Sequence, residues 1–297
     1  MMQVASKRLA LLQRKYPEWR AWLAVVEAVM QESVTSNWQA GIPRHPIEQN
    51  LDQPLLTAAT IAVDESEIAS WLEHLLDLAS RANNDALANL IRLNKGAVRG
   101  CSSALLRASV DGNYRQINEF ARALDVDSEG FRAVVELAPL PLMQACRRCW
   151  STLIPENWFA GYCPVCGAWP AFAEEQGIER IRVLRCARCG AGWRSECLRC
   201  PYCATTEHAK LTSLVLGAAH DTWRIDACTV CLGYVKTMLV LQGCAPEEIL
   251  LEDLATVELD IAAGDAGYVR PANPGYAPAI RLAALTGQNN GQWAGAL

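Results

Sequence analysis

Residues 163–167 read Cys-Pro-Val-Cys-Gly, and residues 186–190 read Cys-Ala-Arg-Cys-Gly. Two cysteines at this spacing can bind one metal ion, because the turn between them points both sulfur atoms inward. A glycine after each second cysteine suits a turn that requires a positive φ at that position. The two motifs are separated by 19 residues, within the range of about 15–20 that is typical of zinc ribbons. We therefore predict a four-cysteine metal site, called site 1, made of Cys163, Cys166, Cys186 and Cys189.

Two further Cys-x-x-Cys motifs follow along the chain and are separated by 24 residues, somewhat more than in site 1. Residues 211–216 alternate in the way that a strand does, and Trp223 and Ile225 follow with the same pattern. A hairpin with its turn at 217–221 accounts for the longer separation. We predict a second four-cysteine site, called site 2, made of Cys200, Cys203, Cys228 and Cys231.

A fifth pair, Cys146 and Cys149, has no partner pair with which to form another four-sulfur site. It also lacks the following glycine and lies in a segment that could be helical. The pair is a redox couple, a third metal site or a free thiol pair that serves packing, and we favour the last interpretation. Cys197 offers site 2 an alternative ligand but is interpreted as a bystander. We expect Cys101 and Cys244 to be small buried hydrophobic residues.

The distribution of cysteines divides the chain, since twelve of the thirteen lie between residues 146 and 244. Residues 1–145 instead show apolar residues at helical spacing after Asp64, after Asp85, and within 117–124 and 131–138. The helix after Asp85 is predicted to stop near Gly96. Several helices with short connections indicate a bundle-like domain.

The second half of the chain has the short alternating segments that are typical of strands. Residues 180–185 lead into site 1 as a predicted strand, and 234–241 form a strand or a helix. The predicted fold is α+β, a helical N-terminal domain followed by tandem small β modules of the rubredoxin-like or zinc-ribbon type. Its predicted parts are a helical domain at 1–145, a first rubredoxin-like module at 146–206, a second at 200–245, and an acidic helix (247–263) with a proline-containing tail at 246–297.

Composition indicates a globular protein outside membranes. The chain has 297 residues, of which 51% are hydrophobic, and it has no apolar run near the roughly 20 residues needed to cross a bilayer. The short apolar stretch at residues 9–12 is flanked by charges and does not resemble an export signal. We therefore expect a cytoplasmic protein, in which the reducing environment favours metal thiolates over disulfides.

The residues around the motifs resemble the formate dehydrogenase accessory protein family, FdhE. The resemblance covers about residues 160–276 and lies in Gly161–Gly167, Leu184–Gly190, Cys200–Cys203, Ala227–Cys231, Tyr234–Lys236, Asp253–Asp260 and Gly267–Pro274. It implies a cytoplasmic, non-catalytic maturation factor that binds the catalytic subunit of respiratory formate dehydrogenase. It also implies that the eight cysteines of the two sites are ligands of two tetrathiolate metal ions. The resemblance favours iron, whereas zinc is the more frequent ion in structural ribbons, and four thiolates suit both.

Two other functions fit parts of the sequence. A zinc-ribbon nucleic-acid-binding protein could use the arginines near the motifs, Arg180, Arg182, Arg185, Arg188, Arg194 and Arg199. However, residues 146–245 hold 11 basic and 8 acidic residues, and the whole chain has a formal net charge of −5. We therefore do not expect nucleic acid as a partner. These arginines equally fit a solvated strand face or a docking surface for an acidic partner. A rubredoxin-like one-electron carrier would not need the helical half of the chain.

Motifs for other chemistry are absent from the sequence. It has no glycine-rich nucleotide loop and no Gly-x-Ser-x-Gly motif, and its four histidines do not form a ligand pattern. We therefore predict that the protein is not an enzyme. Trp158, Trp169 and Trp193 lie close to the cysteine motifs, and we expect them to pack over the metal sites and exclude water.

Overall fold

The structure is a computed structural model that describes residues 2–46, 52–81, 85–215 and 222–285. Most of the described helices precede residue 150, which agrees with the predicted helical N-terminal part. They are α1 (Met2–Lys15), α2 (Arg20–Ser33), α3 (Glu65–Ser80), α4 (Asp85–Asp111), α5 (Tyr114–Ala123), α6 (Ser128–Leu137) and α7 (Leu140–Cys149). Short 3-10 helices lie at Pro17–Trp19, Asn37–Gln39, Ser151–Leu153 and His208–Lys210.

Helix α3 begins where the sequence predicts. The Asp64 side chain accepts hydrogen bonds from the backbone N–H groups of Ser66 at 2.8 Å and Glu67 at 3.3 Å. These bonds satisfy two of the N–H groups that have no partner within the helix. The apolar face predicted from the spacing is buried in the core, as shown by Ile68, Leu72, Leu75 and Leu76.

Helix α4 is longer than predicted. It continues through Gly96, where the sequence suggested an end, and runs to Asp111. A glycine inside a helix costs only about 1 kcal/mol relative to alanine. Beyond it, Val98 and Leu105 are buried against the core, and this burial outweighs that cost. The helix ends before Gly112, whose φ of +64° suits the left-handed position after a helix.

The strands form two sheets. They are β1 (Thr60–Val63), β2 (Phe172–Gln176), β3 (Ile181–Arg185), β4 (Gly192–Arg194), β5 (Leu211–Leu214), β6 (Trp223–Cys228), β7 (Tyr234–Val240) and β8 (Arg281–Ala284). Strands β1 and β8 pair in parallel, so that the C-terminal segment is attached to the helical part. The other six form one sheet in the order β4-β3-β2-β7-β6-β5.

The six-stranded sheet joins the two predicted modules. Strands β2, β3 and β4 form one antiparallel unit, and β5, β6 and β7 form another. Parallel pairing of β2 with β7, in which Phe172 lies opposite Lys236, fuses them into a continuous sheet. The strand predicted directly before the second motif of site 1 is confirmed as β3, and the predicted pairing of β5 with β6 is confirmed as well. The predicted turn at 217–221 lies outside the described residues.

The prediction of a single acidic helix over 247–263 is wrong. It consists of α8 (Ile249–Ala255) and α9 (Val257–Asp265), which are separated at Thr256. The break changes which side is buried, since Ile261 is 59% exposed although its spacing predicted an apolar face. It also leaves the carbonyl oxygen of Asp253 to accept a hydrogen bond from Nζ of Lys236 at 2.7 Å. The hydrogen bond from Lys236 thus takes the place of the helical hydrogen bond that the Asp253 carbonyl lacks at the break between α8 and α9.

The two faces of the large sheet pack on different layers. Ala173, Leu184 and Val235 belong to the same core as the N-terminal helices. Phe172 and Ile225, which point to the other face, pack with residues of α8 and α9. The central strands of the sheet are thus covered on both faces. None of the described helices combines the length and the apolar character needed to cross a membrane.

Candidate metal centres

All four predicted metal-binding motifs share one unusual backbone feature. The residue after the second cysteine has a positive φ in each motif: +74° at Gly167, +78° at Gly190, +59° at Ala204 and +57° at Leu232. Glycine adopts this conformation without steric cost, whereas other residues adopt it at some cost. The sequence indicated the turn only in site 1, where glycine occupies the position. Site 2 forms the same turn with less suitable residues.

The same turn is closed by the same hydrogen bond in each motif. The backbone N–H of the first cysteine donates to the carbonyl oxygen five residues later, at 2.8–2.9 Å. The donor and acceptor pairs are Cys163 and Ala168, Cys186 and Ala191, Cys200 and Thr205, and Cys228 and Gly233. Such a closed loop fixes both sulfur atoms on its inner side. Four copies of one local structure therefore present the eight predicted ligands.

The structure brings the cysteines of each predicted site together. Within each site, the four Sγ atoms lie within 4.8 Å of one another. In site 1, the Sγ atoms of Cys163 and Cys189 are 3.4 Å apart, and those of Cys166 and Cys186 are 3.5 Å apart. In site 2, the corresponding distances are 3.6 Å for Cys200 and Cys231 and 3.7 Å for Cys203 and Cys228.

These distances fit a tetrahedral metal ion. A tetrahedron with metal–sulfur bonds of about 2.3 Å has edges of about 3.8 Å. The measured separations are close to that edge and far longer than the roughly 2 Å of a disulfide. Each of the thirteen cysteines is a free thiol. Four sulfur donors suit zinc or a single iron ion, so the two clusters could hold two metal ions.

The electrostatics of site 1 also favour a cation. Burial raises the pKa of the Cys163 and Cys189 thiols well above the usual value. Burial also acts to raise the pKa of Cys186, but hydrogen bonds with the other three thiols lower it well below the usual value. One thiolate, that of Cys186, is thus favoured beside two thiols, Cys163 and Cys189, whose raised pKa values oppose ionisation. A bound metal ion would compensate the charge of all four thiolates.

Other parts of the chain hold the first motif of site 1. The backbone N–H groups of Leu55 and Leu56 donate to the carbonyl oxygens of Pro164 and Val165 at 2.8 and 2.9 Å. From the C-terminal segment, the N–H of Tyr276 donates to the carbonyl oxygen of Gly167 at 2.9 Å. The motif is therefore fixed from two sides by segments that are remote in sequence.

The second motif of site 1 is attached to the helical domain. Arg188, inside the motif, donates to the carbonyl oxygens of Ser109 at 2.6 Å and Val110 at 3.2 Å at the end of α4. Trp158 and Trp193 lie in the same apolar core as the four cysteines of the site. This burial agrees with the expectation that tryptophans exclude water there. Site 1 therefore belongs to the main core of the protein.

The third tryptophan lies between the flanks of the two sites. The ring of Trp169 contacts the ring of Tyr162, just before site 1, with centroids 6.0 Å apart. It also contacts the ring of Tyr202, inside the first motif of site 2, at 5.3 Å. Aromatic contacts of this kind add to the joining of the two modules that β2 and β7 provide.

The surplus cysteines do not join either cluster. Cys146 and Cys149 lie in the last turn of α7, where Cys146 is fully buried and Cys149 is exposed. Burial raises the pKa of the Cys146 thiol. Cys197 is exposed, and Cys101 and Cys244 are only partly buried, less than their predicted core role requires. Among the residues that the structure describes, the two four-cysteine clusters are the groups of side chains arranged to hold a metal ion.

Several of the arginines considered for phosphate binding are used inside the protein. Arg185 is buried and pairs with Glu174 at 2.7 Å. Arg182 is also buried and lies 3.5 Å from Asp226. The interpretation of these two as part of a solvated strand face is wrong, because both side chains are buried and paired with carboxylates. Arg188 is likewise occupied by the backbone of α4.

One charged cluster beside site 2 could not be identified from the sequence. Nζ of the fully buried Lys236 lies 2.8 Å from Oδ1 of Asp253 and 3.0 Å from Oδ2 of Asp260. Arg270 contacts both carboxylates at 2.7 Å, and the hydroxyl of Tyr234 donates to Asp260 at 2.7 Å. This cluster, called the ionic cluster below, ties β7 to α8, α9 and the C-terminal segment. A lysine in a strand gives no signal of burial by itself.

Comparisons with known proteins agree with one another. The family model described as "FdhE, C-terminal domain" matches residues 198–275. The protein FdhE homolog of Aquifex aeolicus is 33% identical over 119 residues, which cover 39% of this chain and 41% of that protein. The homolog of Pseudomonas putida is 26% identical over 277 residues, which cover 86% of this chain and 78% of that protein. The match to the Aquifex protein thus spans less than half of its length.

A solved structure has the same fold. The crystal structure of the FdhE protein from Pseudomonas aeruginosa superposes with a TM-score of 0.55 and covers 92% of this chain and 94% of that chain. The two sequences are 20% identical in the superposition, so this likeness bears on the fold alone.

Proposed function

We propose, from the match of residues 198–275 to the FdhE C-terminal domain and the likeness to FdhE homologs, that the chain is a member of the FdhE family and a non-catalytic accessory protein for the formation of active respiratory formate dehydrogenase. The observation that carries the proposal is the pair of four-cysteine clusters on the same edge of one continuous sheet, one next to the start of β2 and the other next to the start of β7. Such an arrangement holds a surface in a fixed shape, which is what a protein that binds an immature partner requires. We further propose that it acts in the cytoplasm.

The donor set of each cluster supports a role without catalysis. Four cysteine ligands fill the coordination of a tetrahedral ion, whereas a catalytic metal site keeps one position open for water or substrate. Bound zinc would stabilise the fold, and bound iron would in addition allow one-electron oxidation and reduction. We propose iron as the native ion, because the resemblance of the motifs to this family favours it. Elemental analysis with an absorption spectrum tests this, since a colourless protein with two zinc ions per chain would contradict iron.

We propose that the catalytic subunit of formate dehydrogenase binds in the groove between the two sites. This groove has a volume of about 790 Å³ and is lined in part by Trp158, Phe159, Tyr162, Trp169 and Tyr202. Phe159 is 73% exposed and stands among other aromatic residues in this groove, so its ring is accessible to a partner that binds there. Exposed aromatic side chains are frequent anchors in protein–protein interfaces.

A pull-down tests this proposal. The tagged chain is expected to retain the catalytic subunit of formate dehydrogenase, and a deletion strain is expected to lose formate oxidation. The variant Phe159→Ser should weaken retention at least tenfold. The matched control is Ile178→Ser, because Ile178 is 96% exposed in the turn between β2 and β3 and does not line the groove. Absence of any association, together with normal formate oxidation in the deletion strain, would refute the proposed function.

A further inference from the structure

The two four-cysteine clusters differ in their access to solvent. All four cysteines of site 1 have a relative exposure of 0%. In site 2, Cys200 and Cys228 are buried, whereas Cys203 is exposed and Cys231 is partly exposed. The distances between sulfur atoms are similar in the two sites, so the difference lies in what surrounds them.

Site 1 can be reached only if packed segments separate. Its first motif is bonded to Leu55, Leu56 and Tyr276, and its second motif is bonded through Arg188 to the end of α4. These contacts come from the helical domain and from the C-terminal segment. An incoming ligand would therefore require a local opening of the core, which is infrequent because it breaks several buried contacts at once.

Site 2 is open on the side of Cys203 and Cys231. The residues at the tips of its motifs are exposed as well, including Val230 at 56% and Leu232 at 51%. Ala204, which follows Cys203, is also exposed. A ligand in solution can thus approach two of the four sulfur atoms without any opening of the core.

A cavity reaches the same site from the sheet side. It has a volume of about 200 Å³, and Cys200 and Cys228 line it. Three arginines (Arg182, Arg199 and Arg224) and two carboxylates (Glu175 and Asp226) also line it, so its charged side chains sum to +1. Four thiolates around a divalent ion carry a net charge of about −2, which these side chains partly offset, so the cavity lowers the repulsion that an anionic chelator or thiolate meets at site 2.

We propose that site 2 is a metal-exchange site, where an anionic or thiolate ligand displaces a cysteine, and that site 1 retains its metal permanently. The proposal rests on the two clusters holding metal ions, as in the proposed function. In the exchange, the incoming ligand would form a bond to the metal as the bond to Cys203 breaks, and further ligand atoms would replace Cys231, Cys200 and Cys228 in turn. Each released thiolate would take up a proton from the solvent. No electron is transferred. Site 2 is therefore the cluster through which a partner or a chelator can withdraw or supply metal.

The test is the rate of metal release from the full chain loaded with two zinc ions. Excess 4-(2-pyridylazo)resorcinol, an anionic chelator that changes colour on binding zinc, should remove the two ions in two phases of equal amplitude. We expect the second phase to be at least ~100-fold slower, because it requires opening of the core. After the fast phase, a pulse of iodoacetamide followed by mass spectrometry should label the four cysteines of site 2 and leave those of site 1 unlabelled.

Matched variants add a second measurement. Cys203→Ser should lose the fast phase and keep the slow one, and Cys166→Ser, at the equivalent position of site 1, should keep the fast phase. Release of both ions in one phase, or labelling of site 1 after the fast phase, would overturn the proposal. Neither readout uses formate dehydrogenase, so failure of the accessory function would leave these results unchanged, and failure of exchange would leave the pull-down unchanged.

Discussion

Replacement of the buried Lys236 by methionine should destabilise the protein strongly. Its side chain is 0% exposed and its Nζ contacts both Asp253 and Asp260 within 3.0 Å. Methionine fills a similar volume but removes the positive charge. The two carboxylates would then keep Arg270 and, for Asp260, the Tyr234 hydroxyl. Because they are only 22% and 25% exposed, water would replace the lost partner only in part.

The size of the effect follows from the desolvation of the remaining charges. Removal of one partner from a buried ion pair costs about 3–5 kcal/mol, most of which comes from the charge left without compensation. Because Arg270 still contacts both carboxylates at 2.7 Å, we expect the lower end, about 3 kcal/mol. The double variant Lys236→Met with Asp260→Asn should recover at least about 1 kcal/mol, because it removes the unpaired charge.

The assay is urea denaturation of the metal-loaded chain, followed by circular dichroism. The control is Lys210→Met, because Lys210 is exposed and its replacement should change the free energy of unfolding by no more than about 0.5 kcal/mol. If Lys236→Met costs less than about 1 kcal/mol, the ionic cluster does not stabilise the fold through compensation of buried charge.

Three further predictions concern the motifs and the ionic cluster. Ala204→Gly should raise the free energy of unfolding by about 0.5–1 kcal/mol, because glycine adopts a positive φ without the steric cost that alanine has. Gly167→Ala introduces that cost and should lower thermal stability. A loss of stability in Ala204→Gly would contradict this reasoning. Although burial raises it, the charges of Arg270 and Lys236 lower the pKa of Asp253 to about 2. The stability contributed by Asp253 is therefore fully present above its unfolded pKa of about 4 and is lost as pH falls through 2. Between pH 4 and pH 2, the urea midpoint of Asp253→Asn should therefore fall less than the urea midpoint of the wild type. Finally, Cys163→Ser and Cys200→Ser should each leave one metal ion per chain by elemental analysis, and loss of both ions from either variant would mean that the fused sheet makes the two sites interdependent.

Local features of the sequence predicted much of the site. The Cys-x-x-Cys spacing places two sulfur atoms on one turn, and Gly167 and Gly190 indicate the positive φ that this turn requires. Residues three or four apart on one apolar face predicted α3 together with its cap at Asp64. These features depend only on neighbours along the chain, so they can be identified before the fold is known.

Contacts between remote segments decided the rest. Parallel pairing of β2 with β7 depends on hydrogen bonds that no local pattern specifies. Burial of Arg182 and Arg185 requires carboxylates that the fold brings to them, and the break between α8 and α9 coincides with the arrival of Lys236. The sequence by itself determined which eight cysteines are paired into motifs and, through Gly167 and Gly190, the turn that the two motifs of site 1 adopt. Only the tertiary structure decided that site 1 is enclosed and site 2 is open, because burial depends on which distant segments pack around each cluster.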